Sequence, residues 1–188
     1  MNKINEKRVF IGIPIGAAIK PLLAVLKSKF TKNSEKIKWI PSENIHLTLR
    51  FVGNISVKNI TGFIQSLKTE IIQNKFEIVI ESSGVFPSYH SPRVLWLGIK
   101  RGGEELLSLH TQIETSLGKI TAKNPELTFT PHITIAKIPQ KFVEIDILPF
   151  LNTVYSPIEL DINSICLFES QLFQEGAKYR ILNEFPLN

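Results

Sequence analysis

Three stretches of the chain carry apolar residues at the three- and four-residue spacing of one helix face. This spacing predicts helices over residues 16–30, 56–73 and 104–117, with Ser56 as the N-cap of the second helix. The apolar stripes of these helices consist of Leu22, Leu23, Leu26 and Phe30, then Ile60, Phe63, Ile64, Leu67 and Ile71, and finally Leu106, Leu109, Ile113 and Leu117. Each helix is therefore expected to lay one side on a core.

Shorter stretches rich in β-branched and aromatic residues predict strands between these helices. The predicted strands cover residues 8–13, 45–52, 76–81, 93–100, 129–136, 158–168 and 178–185. Gly53 and Asn54 form a turn signal that is expected to end the second strand. Strands and helices occur in both halves of the chain, which predicts an α+β protein of two similar lobes around a central cleft.

Length and composition predict one soluble globular domain spanning residues 1–188 and built as two lobes. The 188 residues include 43% hydrophobic and 21% charged residues, as in ordinary soluble proteins. The apolar stretch at residues 9–19 is interrupted by Pro14 and Gly16 and is too short to span a bilayer, so we expect a cytoplasmic protein without membrane contact. A formal net charge of +5 favours a polyanionic partner such as nucleic acid.

Three residues with reactive side chains have ordinary structural explanations. The single cysteine, Cys166, lies in an apolar run and is expected to be a buried, unreactive thiol. His90 lies in a loop with proline and serine, where an exposed histidine is expected. His110 lies beside the apolar stripe of the third predicted helix, which predicts a packed histidine.

The other two histidines belong to a His-x-Thr triplet that occurs twice, about half the chain length apart. The triplets are His46-Leu-Thr48 and His132-Ile-Thr134, each embedded in apolar residues. A single triplet of this kind on a strand is more often a hydrogen-bonded structural histidine. Two copies in corresponding halves favour a functional pair.

Strand alternation predicts which side chains of the two triplets share a face. We expect His46, Thr48 and Arg50 on one face of the first strand, and His132 and Thr134 on one face of the second. The opposite faces, which are expected to pack on the core, carry Leu47, Leu49, Phe51, Ile133 and Ile135. Two imidazoles with an ordinary pKa of about 6.5 can act as general acid and general base, and threonine hydroxyls are donors suited to phosphoryl oxygens.

Further segments along the chain belong to a recognisable pattern. They are Arg8-Val-Phe-Ile, Asn44-Ile-His-Leu-Thr-Leu-Arg-Phe-Val-Gly, Phe86-Pro, Pro92-Arg-Val-Leu-Trp-Leu-Gly, Phe129-Thr-Pro-His-Ile-Thr-Ile-Ala-Lys, and the ending from Leu167-Phe-Glu-Ser to Gly176-Ala-Lys-Tyr. On these residues the chain resembles the two-histidine phosphoesterase superfamily. The resemblance is greatest to its bacterial and archaeal RNA 2′,3′-cyclic phosphodiesterases, once named 2′-5′ RNA ligases.

The resemblance implies a bilobal fold with pseudo-twofold symmetry, in which two lobes of antiparallel sheet with outer helices surround one cleft. It assigns His46 as proton donor and His132 as proton acceptor, and it assigns phosphate binding to Thr48 and Thr134. Relatives often carry arginine where this chain has Lys137. A lysine keeps the charge but loses the bidentate fork of a guanidinium.

Two basic residues are candidates to assist the threonines. Lys137 or Arg93 would neutralise charge on the non-bridging phosphate oxygens. Lys137 has the wrong strand parity to share the face of Thr134. It is therefore expected to reach the site only if the strand bends or ends there.

The function that the resemblance implies is hydrolysis of a terminal 2′,3′-cyclic phosphate of RNA to a 2′-phosphomonoester, with 2′-5′ ligation as its reverse. The expected partners are RNA ends or nucleotides with a 2′,3′-cyclic phosphate, and a monomer is expected. No metal or organic cofactor is expected, because neither triplet supplies a carboxylate or a third histidine at ligand spacing. Two alternatives remain open: a non-catalytic module that binds RNA ends, and an esterase for small cyclic phosphates.

Overall fold

Nine strands and four α-helices make up the part of the chain that the structure, a computed structural model, describes: residues 6–118, 129–139, 145–174 and 176–188. The strands are β1 (Glu6–Pro14), β2 (Lys38–Trp39), β3 (His46–Ser56), β4 (Phe76–Phe86), β5 (Val94–Arg101), β6 (His132–Lys137), β7 (Ile158–Ile162), β8 (Ser164–Phe173) and β9 (Gly176–Pro186). The helices are α1 (Gly16–Lys27), α2 (Val57–Glu70), α3 (Gly103–Gly118) and α4 (Leu148–Leu151).

All nine strands join one antiparallel sheet in the order β7-β4-β5-β6-β3-β1-β8-β9, with β2 added beside β6. At its centre, within the described strands, β3 and β6 meet through a single pair of residues, Leu47 and Ile133. The sheet therefore divides there into two halves. Each half contains a strand–helix–strand unit, β1–α1–β3 in one and β5–α3–β6 in the other, whose two strands are antiparallel neighbours. This arrangement confirms the predicted α+β fold of two similar lobes.

The hydrophobic core packs the helices against one face of the sheet. From β3 and β6 it takes Leu47, Leu49, Ile133 and Ile135, all fully buried. The predicted helix stripes supply, among others, Leu23, Leu26, Phe63, Leu67, Leu106, Leu109 and Ile113. Full burial of one such side chain stabilises the fold by roughly 1.5–3 kcal/mol. Because side chains alternate along a strand, the polar residues of both triplets face away from this core.

The helices begin and end close to the predicted positions. The first ends at Lys27, three residues before the predicted end, and the third runs from Gly103 to Gly118. The second begins at Val57, so Ser56 occupies the predicted N-cap position. The N-cap position is confirmed, and the Ser56 hydroxyl forms no capping hydrogen bond there.

Two strand predictions are wrong, each for an identifiable reason. The first triplet strand does not turn at Gly53, which has a φ of 80° and lies in the sheet opposite Val9, next to a β-bulge. The single strand predicted over residues 158–168 is two strands separated by Asn163. β7 pairs with β4, and β8 pairs with β1, so the chain crosses at Asn163 from one half of the sheet to the other.

One prediction concerns residues that the structure does not describe. The linker predicted near Asn124 and Pro125 falls outside the described residues. None of the helices in the described part of the chain has both the length and the apolar character needed to cross a membrane.

Candidate active site

The two His-x-Thr triplets face each other across the centre of the sheet. The antiparallel register of β3 and β6 places His46 opposite Thr134, and it places Thr48 opposite His132. Diagonal neighbours in such a register lie roughly 7–8 Å apart. His46 and His132 are therefore diagonal neighbours across β3 and β6.

Both imidazoles are oriented by the same kind of hydrogen bond. Nδ1 of His46 lies 2.7 Å from the carbonyl oxygen of Asn44, and Nδ1 of His132 lies 2.8 Å from the carbonyl oxygen of Thr130. A carbonyl oxygen can only accept, so Nδ1 donates the hydrogen in each case. This leaves Nε2 of each ring as the nitrogen that can take or give a proton.

The imidazole of His46 lies against an aromatic cluster. Its ring centre is 4.6 Å from that of Phe10, 5.1 Å from that of Tyr179 and 6.0 Å from that of Phe168, which stacks on Phe10. These rings exclude water from one side of the imidazole. The positive form of His46 is consequently disfavoured.

The pKa of His46 reflects this environment. Burial lowers the pKa below its ordinary value of 6.5, the hydrogen bond to the Asn44 carbonyl acts against that lowering, and the positive charge of Lys137 adds to it. In the protein without substrate, His46 is therefore mainly neutral at pH 7.

His132 lies against a separate pair of aromatic rings. Phe86 lies nearly perpendicular to the imidazole at a centroid distance of 5.1 Å, and Trp96 lies at 6.4 Å. Phe86 stacks on Trp96, whose ring covers Gly84 so closely that a Cβ there would overlap with it. Each lobe thus backs its histidine with aromatic rings of its own.

A cavity of about 630 Å³ opens beside the triplets. Its lining includes His46, Thr48, Thr134 and Lys137, whereas His132 is not part of it. Arg8, Arg50 and Lys137 are the basic residues of the described lining, and none of the described residues that line the cavity has a carboxylate. Hydroxyl donors and positive charge without a carboxylate suit an anionic ligand such as a phosphate ester.

No group of three or more His, Cys, Asp or Glu side chains comes close enough to hold a metal ion within the described ranges. The groups that surround the cavity are imidazole, hydroxyl, ammonium and guanidinium. They fit proton transfer and anion binding.

Lys137 reaches the cavity because β6 contains a bulge. Relative to β5, the strand carries one extra residue, Ile135, between Thr134 and Ala136. Ile135 and Ala136 are both buried, and the alternation then resumes with Lys137 on the cavity side. The Ile135 carbonyl accepts a hydrogen bond from the backbone N–H of Ile40 at 2.9 Å. Because of this bulge, Lys137 lies on the cavity side of β6, a position that regular alternation from Thr134 would not give it.

A matching bulge in β3 reverses the predicted face of Phe51 and brings Arg50 close to α3. Relative to β1, β3 carries the extra residue Leu49 just before them. The guanidinium of Arg50 consequently lies against the carboxylate of Glu114 on α3. Phe51 is 58% exposed and lines the cavity. Arg50 nevertheless lines the cavity together with His46 and Thr48, as predicted, whereas the prediction that Phe51 packs on the core is wrong.

The residues expected to be structural occupy the predicted environments. His110 is 4% exposed, and its Nδ1 donates to the carbonyl of the bulge residue Leu49 at 2.9 Å. His90 is exposed in its loop beside Tyr89. Cys166 is 2% exposed, and burial, aided by a nearby glutamate charge, raises the pKa of its thiol to about 11. All three predictions are confirmed.

Arg93 does not join the triplets. Its guanidinium donates to the carbonyl of Pro139 at 3.1 Å, and Arg93 is absent from the described lining of the cavity. Its backbone accepts a hydrogen bond from Ile138 at 2.8 Å. These two hydrogen bonds attach Arg93 to residues 138 and 139, which follow β6.

The sequence alone did not identify the aromatic wall of the cavity. Phe10 and Tyr179 each lie near apolar residues in a predicted strand. From the sequence they therefore resemble ordinary core residues. Arg8 and Asn44 belong to segments that carry the resemblance, but nothing in their spacing marks them as neighbours of His46. The pairing of β1 with β3 and β8, and of β8 with β9, brings Phe10 and Tyr179 to His46.

Comparison with known proteins identifies relatives along most of the chain. A family model described as the 2′-5′ RNA ligase superfamily matches residues 16–172. The chain is 33% identical over 156 residues to the RNA 2′,3′-cyclic phosphodiesterase of Aquifex aeolicus, which corresponds to 80% of this chain and 81% of the relative. It is 27% identical over 181 residues to the RNA 2′,3′-cyclic phosphodiesterase of Thermotoga maritima, 94% of each chain. The crystal structure of TT0787 of Thermus thermophilus has a similar fold, with a TM-score of 0.77 at 20% identity over 96% of this chain and 97% of that one.

Proposed function

This chain belongs to the 2′-5′ RNA ligase superfamily, and from that membership we propose that it is a phosphodiesterase that opens the 2′,3′-cyclic phosphate at the end of an RNA chain. The product is a 2′-phosphomonoester. The observation that carries the proposal is the crossed register of two histidines with two threonines beside an anion-suited cavity. Two relatives named RNA 2′,3′-cyclic phosphodiesterase support the substrate class.

The proposed chemistry divides proton transfer between the histidines. Nε2 of His132 takes a proton from water as the water oxygen bonds to phosphorus. The bond from phosphorus to O3′ breaks on the opposite side, and Nε2 of His46 gives its proton to the departing oxygen. The Nδ1 hydrogen bonds to backbone carbonyls support this division, because they keep both Nε2 atoms available.

The low pKa of His46 has to be reconciled with its proposed role as acid. A cyclic phosphate diester carries one negative charge, and an opposite charge within a few ångströms raises the pKa of an imidazole. We therefore expect His46 to gain its proton as the substrate binds. Lys137 disfavours that proton in the free protein, and the charge of the bound phosphate offsets the effect of Lys137.

Charge on the non-bridging oxygens would be stabilised by Thr48 and Thr134, assisted by Lys137. The hydroxyls are fixed by their strands, so they need no rearrangement during the reaction. Each lobe contributes one histidine and one threonine, which makes both lobes necessary for activity and is consistent with a single bilobal domain. With a 5′-hydroxyl in place of water as the attacking group, the same step would break the P–O3′ bond and form a 2′-5′ bond.

The proposal is tested with purified protein, EDTA and an oligoribonucleotide that ends in a 2′,3′-cyclic phosphate. Phosphorus NMR of the product distinguishes a 2′-phosphate from a 3′-phosphate. We expect full activity in chelator and a 2′-phosphate product. A matched oligonucleotide with a linear 3′-phosphate serves as the control and should remain unchanged.

Three other results would contradict the proposal. Binding of the cyclic-phosphate end without turnover would favour an RNA-end binding module. Turnover that appears only after addition of Zn²⁺ or Mn²⁺ would favour a metal hydrolase. A 3′-phosphate product would mean that the P–O2′ bond is broken instead.

A further inference from the structure

Alternate residues of β1 continue the candidate site toward the beginning of that strand. Gly12, which pairs with Thr48, lies beside the imidazole of the first triplet. Phe10 follows on the same face and pairs with Phe51. Arg8 is the next residue on this face and also lines the cavity. Each step from one of these residues to the next spans about 6.6 Å, because a strand rises about 3.3 Å per residue.

The middle position offers a stacking surface. Phe51 is 58% exposed, and its ring centre lies 6.0 Å from that of Phe10. An exposed aromatic ring in a positively charged groove is a platform for a nucleobase, because every base has a flat face that can stack. A base at this position would lie one step along the strand from the hydroxyl of Thr48.

The outer position carries a positive charge. Arg8 is exposed, and with the other described residues its guanidinium forms neither an ion pair nor a hydrogen bond. Burial raises the pKa of the Tyr179 hydroxyl, and the charge of Arg8 acts against this rise, so the two groups are close enough to interact. The guanidinium of Arg180, in contrast, is held by Glu169 at 2.7 Å.

We propose that Arg8 binds the phosphodiester on the 5′ side of the terminal nucleotide, and that this contact makes the protein prefer RNA ends to mononucleoside 2′,3′-cyclic phosphates. The inference rests on the proposed function and names its substrate class. The order along β1 matches one nucleotide: reacting phosphate at Thr48, base at Phe51, next phosphate at Arg8. A guanidinium can hold a phosphate through two parallel hydrogen bonds.

The test compares three substrates: adenosine 2′,3′-cyclic phosphate, the dinucleotide ApA with a 2′,3′-cyclic phosphate, and the same dinucleotide with an uncharged methylphosphonate linkage. For the unaltered protein, kcat/KM on the charged dinucleotide should exceed the other two values by about tenfold or more, the scale of one charged hydrogen bond. Arg8→Gln should lose this advantage, because its kcat/KM should fall about tenfold more on the charged dinucleotide than on the mononucleotide. Lys58→Gln, which removes one charge from the exposed surface of α2, should retain the advantage.

The outcomes separate this inference from the proposed function. If Arg8→Gln keeps the preference for the charged dinucleotide, or lowers kcat/KM equally on all three substrates, the assignment of Arg8 is wrong. Equal rates of the unaltered protein on mononucleotide and dinucleotide also overturn it, while they leave the phosphodiesterase activity standing. Absence of turnover on all three overturns the proposed function and this inference together. Turnover of the mononucleotide by Arg8→Gln serves as the check that the variant is folded.

Discussion

Phe51 and Lys137 occupy equivalent positions in the two halves of the sheet, and both line the cavity. Each follows its His-x-Thr triplet at the same spacing, and in each strand a bulge inserts one residue between the triplet and this position. One half therefore supplies an aromatic ring where the other supplies a positive charge. A backbone with two similar halves thus builds an asymmetric site, and a nucleotide, with its base and its phosphate, is asymmetric in the same way.

Replacing either threonine of the triplets by valine tests whether the hydroxyls bind phosphate. Thr48→Val and Thr134→Val keep the volume and the strand propensity but delete the donor. Activity on a cyclic-phosphate oligonucleotide should fall by about 10²-fold, the scale for loss of one such donor, with little change in melting temperature. Thr111→Val, on the exposed side of α3, is the matched control. A large loss of melting temperature at normal specific activity would instead assign the hydroxyls to the fold.

Replacing the histidines tests whether they act as a pair. His46→Ala and His132→Ala should each reduce kcat by about 10²-fold or more, which is the usual contribution of a general acid or base. The double variant should be little worse than the worse single variant, because both groups serve one step. His90→Ala, at an exposed loop position, should be fully active. Near-normal turnover by either single variant would contradict the mechanism.

The dependence of rate on pH follows from the lowered pKa of His46. The acid must be protonated and the base neutral in the same turnover, so kcat/KM, which reports the free protein, should follow a bell-shaped curve whose limbs belong to the pair of imidazoles. In the complex the phosphate charge raises the pKa of His46, so kcat should fall at a higher pH than kcat/KM. Lys137→Gln removes a charge that lowers the pKa, and the alkaline limb of kcat/KM should move up. Coinciding alkaline limbs for kcat and kcat/KM would show that substrate binding does not protonate His46.

Lys137 is also expected to contribute directly to phosphate binding. Lys137→Gln should lower kcat/KM by about tenfold, the scale of a hydrogen bond to a charged group, whereas Lys137→Arg should keep most of the activity. Lys20→Gln on the exposed face of α1 is the control for loss of one positive charge. If Lys137→Gln and Lys20→Gln had the same small effect, only the general positive charge of the protein would matter.

Glu169 gives a prediction on stability that is independent of the site. It is 7% exposed and accepts hydrogen bonds from Lys7 at 2.9 Å and Arg180 at 2.7 Å. Burial raises the pKa of its carboxyl, but these hydrogen bonds together bring it below the ordinary value of 4.5. Glu169→Gln should therefore reduce the free energy of unfolding at pH 7 by about 1–3 kcal/mol.

The pH dependence of that loss has a defined sign. A depressed carboxyl pKa contributes stability above the unfolded-state pKa, and this stability disappears as pH falls through the folded-state value. The difference between Glu169→Gln and the unaltered protein should therefore shrink below pH 4.5. Glu35→Gln, in an exposed pair with Lys36, should change the denaturant midpoint little at any pH. If the difference in free energy of unfolding between Glu169→Gln and the unaltered protein did not change with pH, the charge of Glu169 would make no contribution to stability.

Much of the fold and part of the site follow from local sequence patterns. Helix stripes depend on spacing within one segment, and for that reason the three long helices were predicted to within a few residues. The faces of His46 and Thr48, and of His132 and Thr134, follow from strand alternation over three residues, where no bulge intervenes. The repeated triplet also indicated the two-lobed organisation and the chemistry of the cleft.

Tertiary structure decided which residues surround that chemistry. Phe51 and Lys137 both lie beyond a bulge, and a bulge reverses the alternation of the side chains that follow it on its strand. The bulge residues are supported by partners distant in sequence: the Leu49 carbonyl accepts from His110, and the Ile135 carbonyl accepts from Ile40. The low pKa of His46 likewise arises from rings on β1, β8 and β9. The sequence by itself determined the two triplets and their faces because both are local, whereas the bulges, the aromatic wall and the position of Arg8 depend on which strands become neighbours.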